Sequence, residues 1–265
     1  MYDFTYKQAA SIDDAVAAHG AADEPRFMSG GMTLLPTLKL RLDKPSDVID
    51  LATIDGLAGI TVAGGTVTIG GMTRHVAVQD SKEVQEAIPA LAKLASGIGD
   101  PQVRNRGTIG GSIANNDPAA DYPSAVVGLG ATVKTNKREI AGDDFFTALF
   151  ETALEPGEIV TSVSFPVPDK AAYMKFPNPA SRYAIVGVFV SQGSQGTRVA
   201  VTGAGGCVFR VAEMEQALAG NFSPDAVASI SIPDGDLNSD IHASAEYRAH
   251  LVTVMAKRAV AEANG

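Results

Sequence analysis

"DPQVRNRGTIGGSIANNDPAAD", residues 100–121, has no helical or strand period and is dense in glycine, asparagine, aspartate and proline. A run of that length without regular structure inside a compact chain is functional or disordered. Its apolar residues and tight glycine pair favour function. An earlier stretch repeats its central feature: "SGGMT", residues 29–33, follows the strand-like "RFMS" and leads into the helix-like "TLLPTLKLR". Each glycine pair has hydroxyl residues at its edges, Ser29 and Thr33 in one, Thr108 and Ser112 in the other. Glycines there are free to adopt φ > 0 and place no Cβ between backbone and ligand. Successive inward N–H groups followed by a helix start would form an anion nest, and two such loops suit a diphosphate held from two sides.

Neither loop is a GxGxxG fingerprint in a βαβ unit or a GxxxxGK[ST] P-loop, so a Rossmann or NTPase site is disfavoured. Pattern alone leaves two readings, ordinary turns or a ligand cradle. Asp117 before Pro118 reads as a helix N-cap. Asp121, one turn on, is either an acceptor for ribityl or ribose hydroxyls or a first-turn acid favoured by the helix dipole.

The composition narrows the classes. A net charge of −9 and a pI near 4.9 argue against a nucleic-acid footprint, and Arg104 with Arg106 reads as a solvated loop. No apolar run approaches the ~20 residues a membrane span requires. The start "MYDFTYKQAASIDD" lacks the order of a secretory signal, so the chain is expected to act from Met1 in the cytoplasm. Cys207 is the single cysteine, which rules out an internal disulfide and an iron–sulfur cluster held by this chain alone; it reads as a small buried residue. His19, His75, His242 and His250 are scattered, with no metal-ligand spacing.

Three textures divide the chain. Residues 1–52 alternate short strands and helices, with Ser11 capping "IDDAVAAHG". Residues 53–167 hold a strand pair around Gly64-Gly65, helical runs "TRHVAVQD" and "SKEVQEAIPALAKLASGIG", the glycine-rich stretch, then "YPSAVVGLGA" (helix), "TVKT" (strand), "DDFFTAL" (short helix) and "EIVTSVSFPVP" (strand). Residues 168–265 place strands before helices, an α+β unit with helices on one face of an antiparallel sheet. The last helix sets Leu251, Val254 and Met255 at core spacing.

At "SGGMTLLPTLKLR", "GDPQVRNRGTIGGS", "NNDPAADYPSA" and "LEPGEIVTSVSFP" the sequence resembles the FAD-binding medium subunits of the molybdenum hydroxylases, the xanthine dehydrogenase and carbon monoxide dehydrogenase family. The likeness continues through "KFPNPASRYAIVGV" to "YRAHLVTVMAKRAV". It implies an α+β chain: a two-subdomain, vanillyl-alcohol-oxidase-like (PCMH-type) FAD fold and a C-terminal domain of the carbon monoxide dehydrogenase flavoprotein type. By carry-over, Ser29, Gly30, Gly31, Met32, Thr33, Leu34 and Leu35, with Thr108, Ile109, Gly110, Gly111 and Ser112, wrap the diphosphate. Asp121 falls near the ribityl–phosphate part, Ile98 and Ile159 near adenine, Lys175 close to the flavin, and Tyr183 against the isoalloxazine. Ser112 stands where asparagine is frequent, and Arg182 where a Gly-Asp pair commonly precedes the aromatic, which leaves the electron acceptor open.

The resemblance further implies an oxidoreductase subunit without catalytic or metal-binding residues of its own. It would take electrons from the [2Fe–2S] clusters of a small partner and pass them to NAD or another acceptor, while a large molybdenum-cofactor partner oxidises the substrate. A dimer of heterotrimers is the expected assembly. FAD is expected to be non-covalent, because no histidine lies in either glycine loop. Valine at Gly110 or Gly111 should then expel flavin while the fold persists, and Asp121→Ala should cost only about 1–3 kcal/mol. The alternatives are a self-sufficient flavin oxidase or reductase, with a pocket built on Lys175, Arg182, Tyr183 and His242, and a binding module whose glycine loops are only turns.

Overall fold

The computed structural model describes residues 1–265. Its first part runs β1 (Thr5–Gln8), α1 (Ile12–Ala21), β2 (Pro25–Met28), α2 (Leu34–Lys39) and β3 (Asp47–Asp50). The three strands form a parallel sheet in the order β1-β3-β2. Ser11 Oγ accepts the Asp14 N–H at 3.1 Å and starts α1 where the sequence places it. Ile49, Leu51 and Ile159 lie in a small core with Ala15, packed against Phe27.

Next come β4 (Ile60–Ala63), β5 (Thr66–Gly70), α3 (His75–Asp80), α4 (Lys82–Ala87), α5 (Pro89–Ser96), α6 (Pro101–Arg106), α7 (Ile109–Asn115) and α8 (Tyr122–Gly128). They are followed by β6 (Thr132–Thr135), β7 (Glu139–Ala141), α9 (Gly142–Phe145), β8 (Phe146–Ala148), β9 (Glu151–Thr152) and β10 (Val160–Pro166). A five-stranded antiparallel sheet, β4-β5-β10-β6-β7, holds this part together. Gly64 and Gly65 join its first hairpin at φ 57° and 74°, the paired positive values of a tight two-residue turn. Val67 and Ile69 alternate into the core beside Val163 and Phe165.

The last part contains β11 (Lys170–Pro177), β12 (Ala184–Gly193), β13 (Gly196–Thr202) and β14 (Phe209–Arg210), then α10 (Ala212–Gly220) and α11 (Ala245–Ala263). Its antiparallel sheet is ordered β11-β12-β13-β14. "AIVGVFV" in β12 is buried on both faces, α11 covering one side and α8 the other, which is why it reads as a continuous apolar run. Packing on α8 is close: a Cβ on Gly128 would lie 2.9 Å from Phe189 Cδ1. Ser191 Oγ donates to the Gly128 carbonyl at 2.6 Å and Arg198 Nε to that of Val127 at 2.8 Å, so β12 and β13 serve the open carbonyl end of α8. Leu251 and Met255 enter the second core and Val254 packs at its edge, as their spacing predicts.

Several local expectations change. Residues 100–121 are not irregular throughout. Asp100 Oδ1 caps α6 through the Val103 N–H at 2.8 Å, and Thr108 Oγ1 caps α7 through the Gly111 N–H at 3.1 Å. Helices of six and seven residues are too short to show a period. "SKEVQEAIPALAKLASGIG" breaks at Ile88, because Pro89 begins a new helix instead of continuing the old one. Asp117 caps no helix. Its Oδ1 accepts the Ala119 N–H at 2.9 Å in a turn, and the helix begins after Asp121. "DDFFTAL" is helical only to Phe145, and Phe146 turns into β8. Cys207 is half-buried, with its sulfur 3.6 Å from Asn116 Nδ2. No helix is long and apolar enough to cross a membrane.

Candidate functional site

A cleft of about 540 Å³ opens where the three parts meet. Segments 26–37, 71–75, 98–121, 154–160 and 181–183 all contribute to its wall. The two glycine segments touch on its floor: Ser29 Oγ lies 2.6 Å from Thr108 Oγ1. A Cβ on Gly30 would sit 2.0 Å from the Arg106 carbonyl oxygen, so backbone meets backbone with no room for a side chain.

Contact does not make the two segments equivalent. In the first turn of α7 every amide is used inside the protein: Ile109 N–H reaches the Thr73 carbonyl at 3.1 Å and Gly110 N–H that of Gly71 at 2.8 Å. The Gly111 N–H is taken by Thr108 Oγ1. The amides of Gly107 and of Ile109 to Ser112 are therefore taken within the chain, and Gly110 and Gly111 are helical. Only Gly31 of the two pairs has positive φ, at 73°. A Cβ on Gly110 would lie 2.6 Å from the Gly71 carbonyl oxygen, so that glycine serves helix packing, and valine there is expected to damage the fold as well as flavin uptake. Gly110, Gly111, Ser112, Ala114 and Asn115 are the α7 residues that line the cleft.

Segment 30–34 behaves in the opposite way. The N–H groups of Gly30, Gly31, Met32, Thr33 and Leu34 donate to no acceptor within the chain, and Thr33 makes no side-chain cap on α2. All five residues line the cleft. A row of unpartnered amides along a wall is a binding surface for anionic oxygens.

Asp121 is buried at the cleft edge. Tyr173 Oη donates to its Oδ1 at 2.5 Å, and Lys175 Nζ lies 2.9 Å from the same oxygen. Lys175 Nζ also donates to the Gly97 carbonyl at 2.8 Å. Burial pushes the Asp121 carboxyl up, while the Lys175 ammonium and the Tyr173 hydroxyl pull it back. Burial and Asp121 hold the Tyr173 phenol well above its usual range, so it stays a donor. Both bonds fall on Oδ1, which leaves Oδ2 without a partner in the chain.

At the other rim, Glu158 accepts from Thr135 Oγ1 at 2.7 Å, Arg138 Nε at 3.0 Å and the Glu155 N–H at 2.8 Å. Arg138, chiefly, holds its carboxyl down to about 2 despite burial. A lowered carboxyl stabilises the fold above the ordinary carboxylate range, and that stabilisation is lost as pH falls through the folded pKa. Thermal melts from pH 6 to pH 2 are expected to show a steeper loss for the wild type than for Glu158→Gln. Parallel curves would remove Glu158 from the acid response.

Of the residues named from sequence, all line the cleft except Leu35, Ile109 and Lys175. Leu35 packs beneath Gly31 and Ile109 points into the core; Lys175 stands behind Asp121. Ile98 and Ile159 belong to different packing clusters. Tyr183 is 45% exposed at the mouth, its phenol pushed up by burial and by Asp117 and Asp121. Arg182 beside it, at φ 65°, donates to the Gly99 carbonyl at 3.1 Å. Sequence reasoning missed Phe27, His75, Asn115 and Glu158 as lining residues. Only the caps and turns around them carried a local signal.

A row of free amides, an acidic acceptor with one open oxygen and an aromatic at the mouth match the parts of a flavin dinucleotide. Comparison with known proteins agrees. Residues 2–168 match the FAD binding domain in molybdopterin dehydrogenase, and residues 171–263 the CO dehydrogenase flavoprotein C-terminal domain. The chain belongs to the FAD-binding medium subunits of the molybdenum hydroxylases. It is 34% identical to the nicotine 6-hydroxylase medium subunit of Paenarthrobacter nicotinovorans, over 97% of this chain and 96% of that one. It is 32% identical to the carbon monoxide dehydrogenase medium chain of Hydrogenophaga pseudoflava, over 97% of this chain and 96% of the relative. Reconstituted CO dehydrogenase from Oligotropha carboxidovorans has the same fold, with a TM-score of 0.89 at 31% identity, covering 99% of this chain and 98% of that one. As a medium subunit the chain is part of an oxidoreductase, and FAD is its cofactor.

Proposed function

We propose that this medium subunit holds FAD non-covalently and carries electrons from the [2Fe–2S] clusters of a small partner subunit to an external acceptor. A large partner with the molybdenum cofactor would oxidise the substrate. The observation that carries the reading is the run of five unpartnered amides at 30–34, whose residues line the same cleft as Asp121. Those amides would hold the diphosphate, Asp121 would accept ribityl hydroxyl donors, and Tyr183 would cover the ring at the mouth. When bound, the flavin supplies the chemistry that accepts electrons singly and releases them in pairs. This chain's own residues bind and orient it.

The same reading includes NAD or another electron acceptor, a dimer of heterotrimers in the cytoplasm, and a division at 1–52, 53–167 and 168–265. The three larger sheets, one in each part, support that division. The relatives named for nicotine and carbon monoxide align with this chain over nearly its whole length, which supports substrate choice on a partner chain. A self-sufficient oxidase has less to build on: Lys175 is engaged by Asp121 and Gly97, and His242 is exposed outside the cleft.

Purified chain titrated with FAD is expected to bind one equivalent and quench its fluorescence, and acid precipitation should release all the colour to the supernatant. A yellow pellet would overturn non-covalent binding. Affinity capture from native cells, with iron and molybdenum analysis, should recover both partners. A chain that captures neither partner and turns over alone would favour the oxidase.

A further inference from the structure

In the sequence His75 is one of four scattered histidines. The fold puts it on the cleft wall, at the start of α3, where a bridge between Arg74 and Thr108 ties that helix to the second glycine segment. Its N–H donates to the Gly107 carbonyl at 3.0 Å. A Cβ on Gly107 would lie 2.5 Å from Nε2, so the ring is pressed against that backbone and its position is closely defined. The Tyr122 ring backs it at 5.4 Å.

His75 is only 4% exposed, yet neither ring nitrogen is bonded within the chain, and Nδ1 is also shielded from solvent. Leaving such a nitrogen unpaired is costly, and a phenylalanine or leucine would fill the same space without that cost. Nothing in the chain selects the tautomer.

We propose that His75 is a ligand contact of the cleft, whose Nε2, the ring nitrogen not shut off from solvent, exchanges a hydrogen bond with an uncharged polar group of the bound dinucleotide, such as a hydroxyl or a ring amide. The inference rests on the cleft being the FAD site. Burial and the nearby Arg104 guanidinium hold the ring down to about 4, so at pH 7 it is an uncharged partner and no counter-ion for phosphate. The phosphates are left to the amides of 30–34. Binding then selects one tautomer, which the free protein does not.

The test uses the full chain, FAD titration and ring ¹⁵N spectra of His75, assigned by difference against the His75→Phe variant. FAD is expected to move the His75 ring nitrogens to the pattern of a single neutral tautomer. His75→Phe should bind FAD about tenfold more weakly, the worth of one hydrogen bond, and His75→Gln should recover part of that affinity. Melting temperatures of the free variants report folding separately, and the ¹⁵N readout on the wild type stands whether or not a variant folds. A packing-only histidine gives unchanged ¹⁵N shifts and wild-type affinity in His75→Phe, and that result overturns the proposal alone. Wild-type protein that takes up no FAD overturns the assignment of the cleft and this inference with it.

Discussion

Gly30→Val is expected to yield a chain that purifies without flavin and melts well below the wild type. The added Cβ would lie 2.0 Å from the Arg106 carbonyl oxygen, 2.7 Å from its carbon and 2.8 Å from Gly107 Cα. All three are main-chain atoms, so no rotamer change relieves the clash and one segment must withdraw. Withdrawal breaks the contact between Ser29 and Thr108 and carries off the amides of 30–34, so stability and binding fall together. Overpacking of this kind costs roughly 3 kcal/mol of stability, and losing about 3 kcal/mol of binding with the displaced amides lowers FAD affinity by ~100-fold. Gly111→Ala is the control: its Cβ would be 3.0 Å from Thr108 Oγ1 and 3.2 Å from Ser29 Cβ, side-chain atoms that shift by a few tenths of an ångström. Absorbance at the flavin band against protein concentration measures the difference. A Gly30→Val protein purified with a full equivalent of FAD would show that the segments do not meet as described.

Lys175→Met is expected to be the second most damaging change, although its side chain does not line the cleft. It removes the cation beside a buried carboxylate and leaves Asp121 with Tyr173 alone. Breaking a buried pair from one side costs about 3–5 kcal/mol. The pH dependence has a definite sign. Without the ammonium the carboxyl is pushed up further, so the loss is greatest at neutral pH and shrinks as falling pH protonates Asp121. Urea unfolding at pH 7.5 and pH 5 should show the variant approaching the wild type at the lower pH. Asp121→Asn combined with Lys175→Met should recover much of the stability at pH 7.5, since neither charge then remains. A single variant within 1 kcal/mol of wild type at pH 7.5 would mean the pair is solvated.

Elements whose cause lies within a few residues were legible. Ser11 before its helix, Gly64-Gly65 between two alternating strands, and the unbroken apolar run of β12 each carry their own instruction. The stretch 100–121 misled because its two helices are shorter than the window in which a period is visible. Its caps, Asp100 with Pro101 and Thr108, were the available signal.

The family motifs and the glycine pairs determined from sequence alone that a dinucleotide site was to be expected and which residues to look at. Which glycine pair offers free amides was decided only by folding. The β5–α3 turn, remote from α7 in sequence, takes up its N–H groups, whereas nothing in the fold reaches those of 30–34. The same holds for His75, brought to the cleft by a bridge between residues 74 and 108, and for the Asp121–Lys175 pair, 54 positions apart. Hydrogen bonds and charges between segments distant in the chain leave no local pattern, because each partner's sequence neighbourhood is consistent with many others. Only the packed structure shows which groups are used and which are left for a ligand.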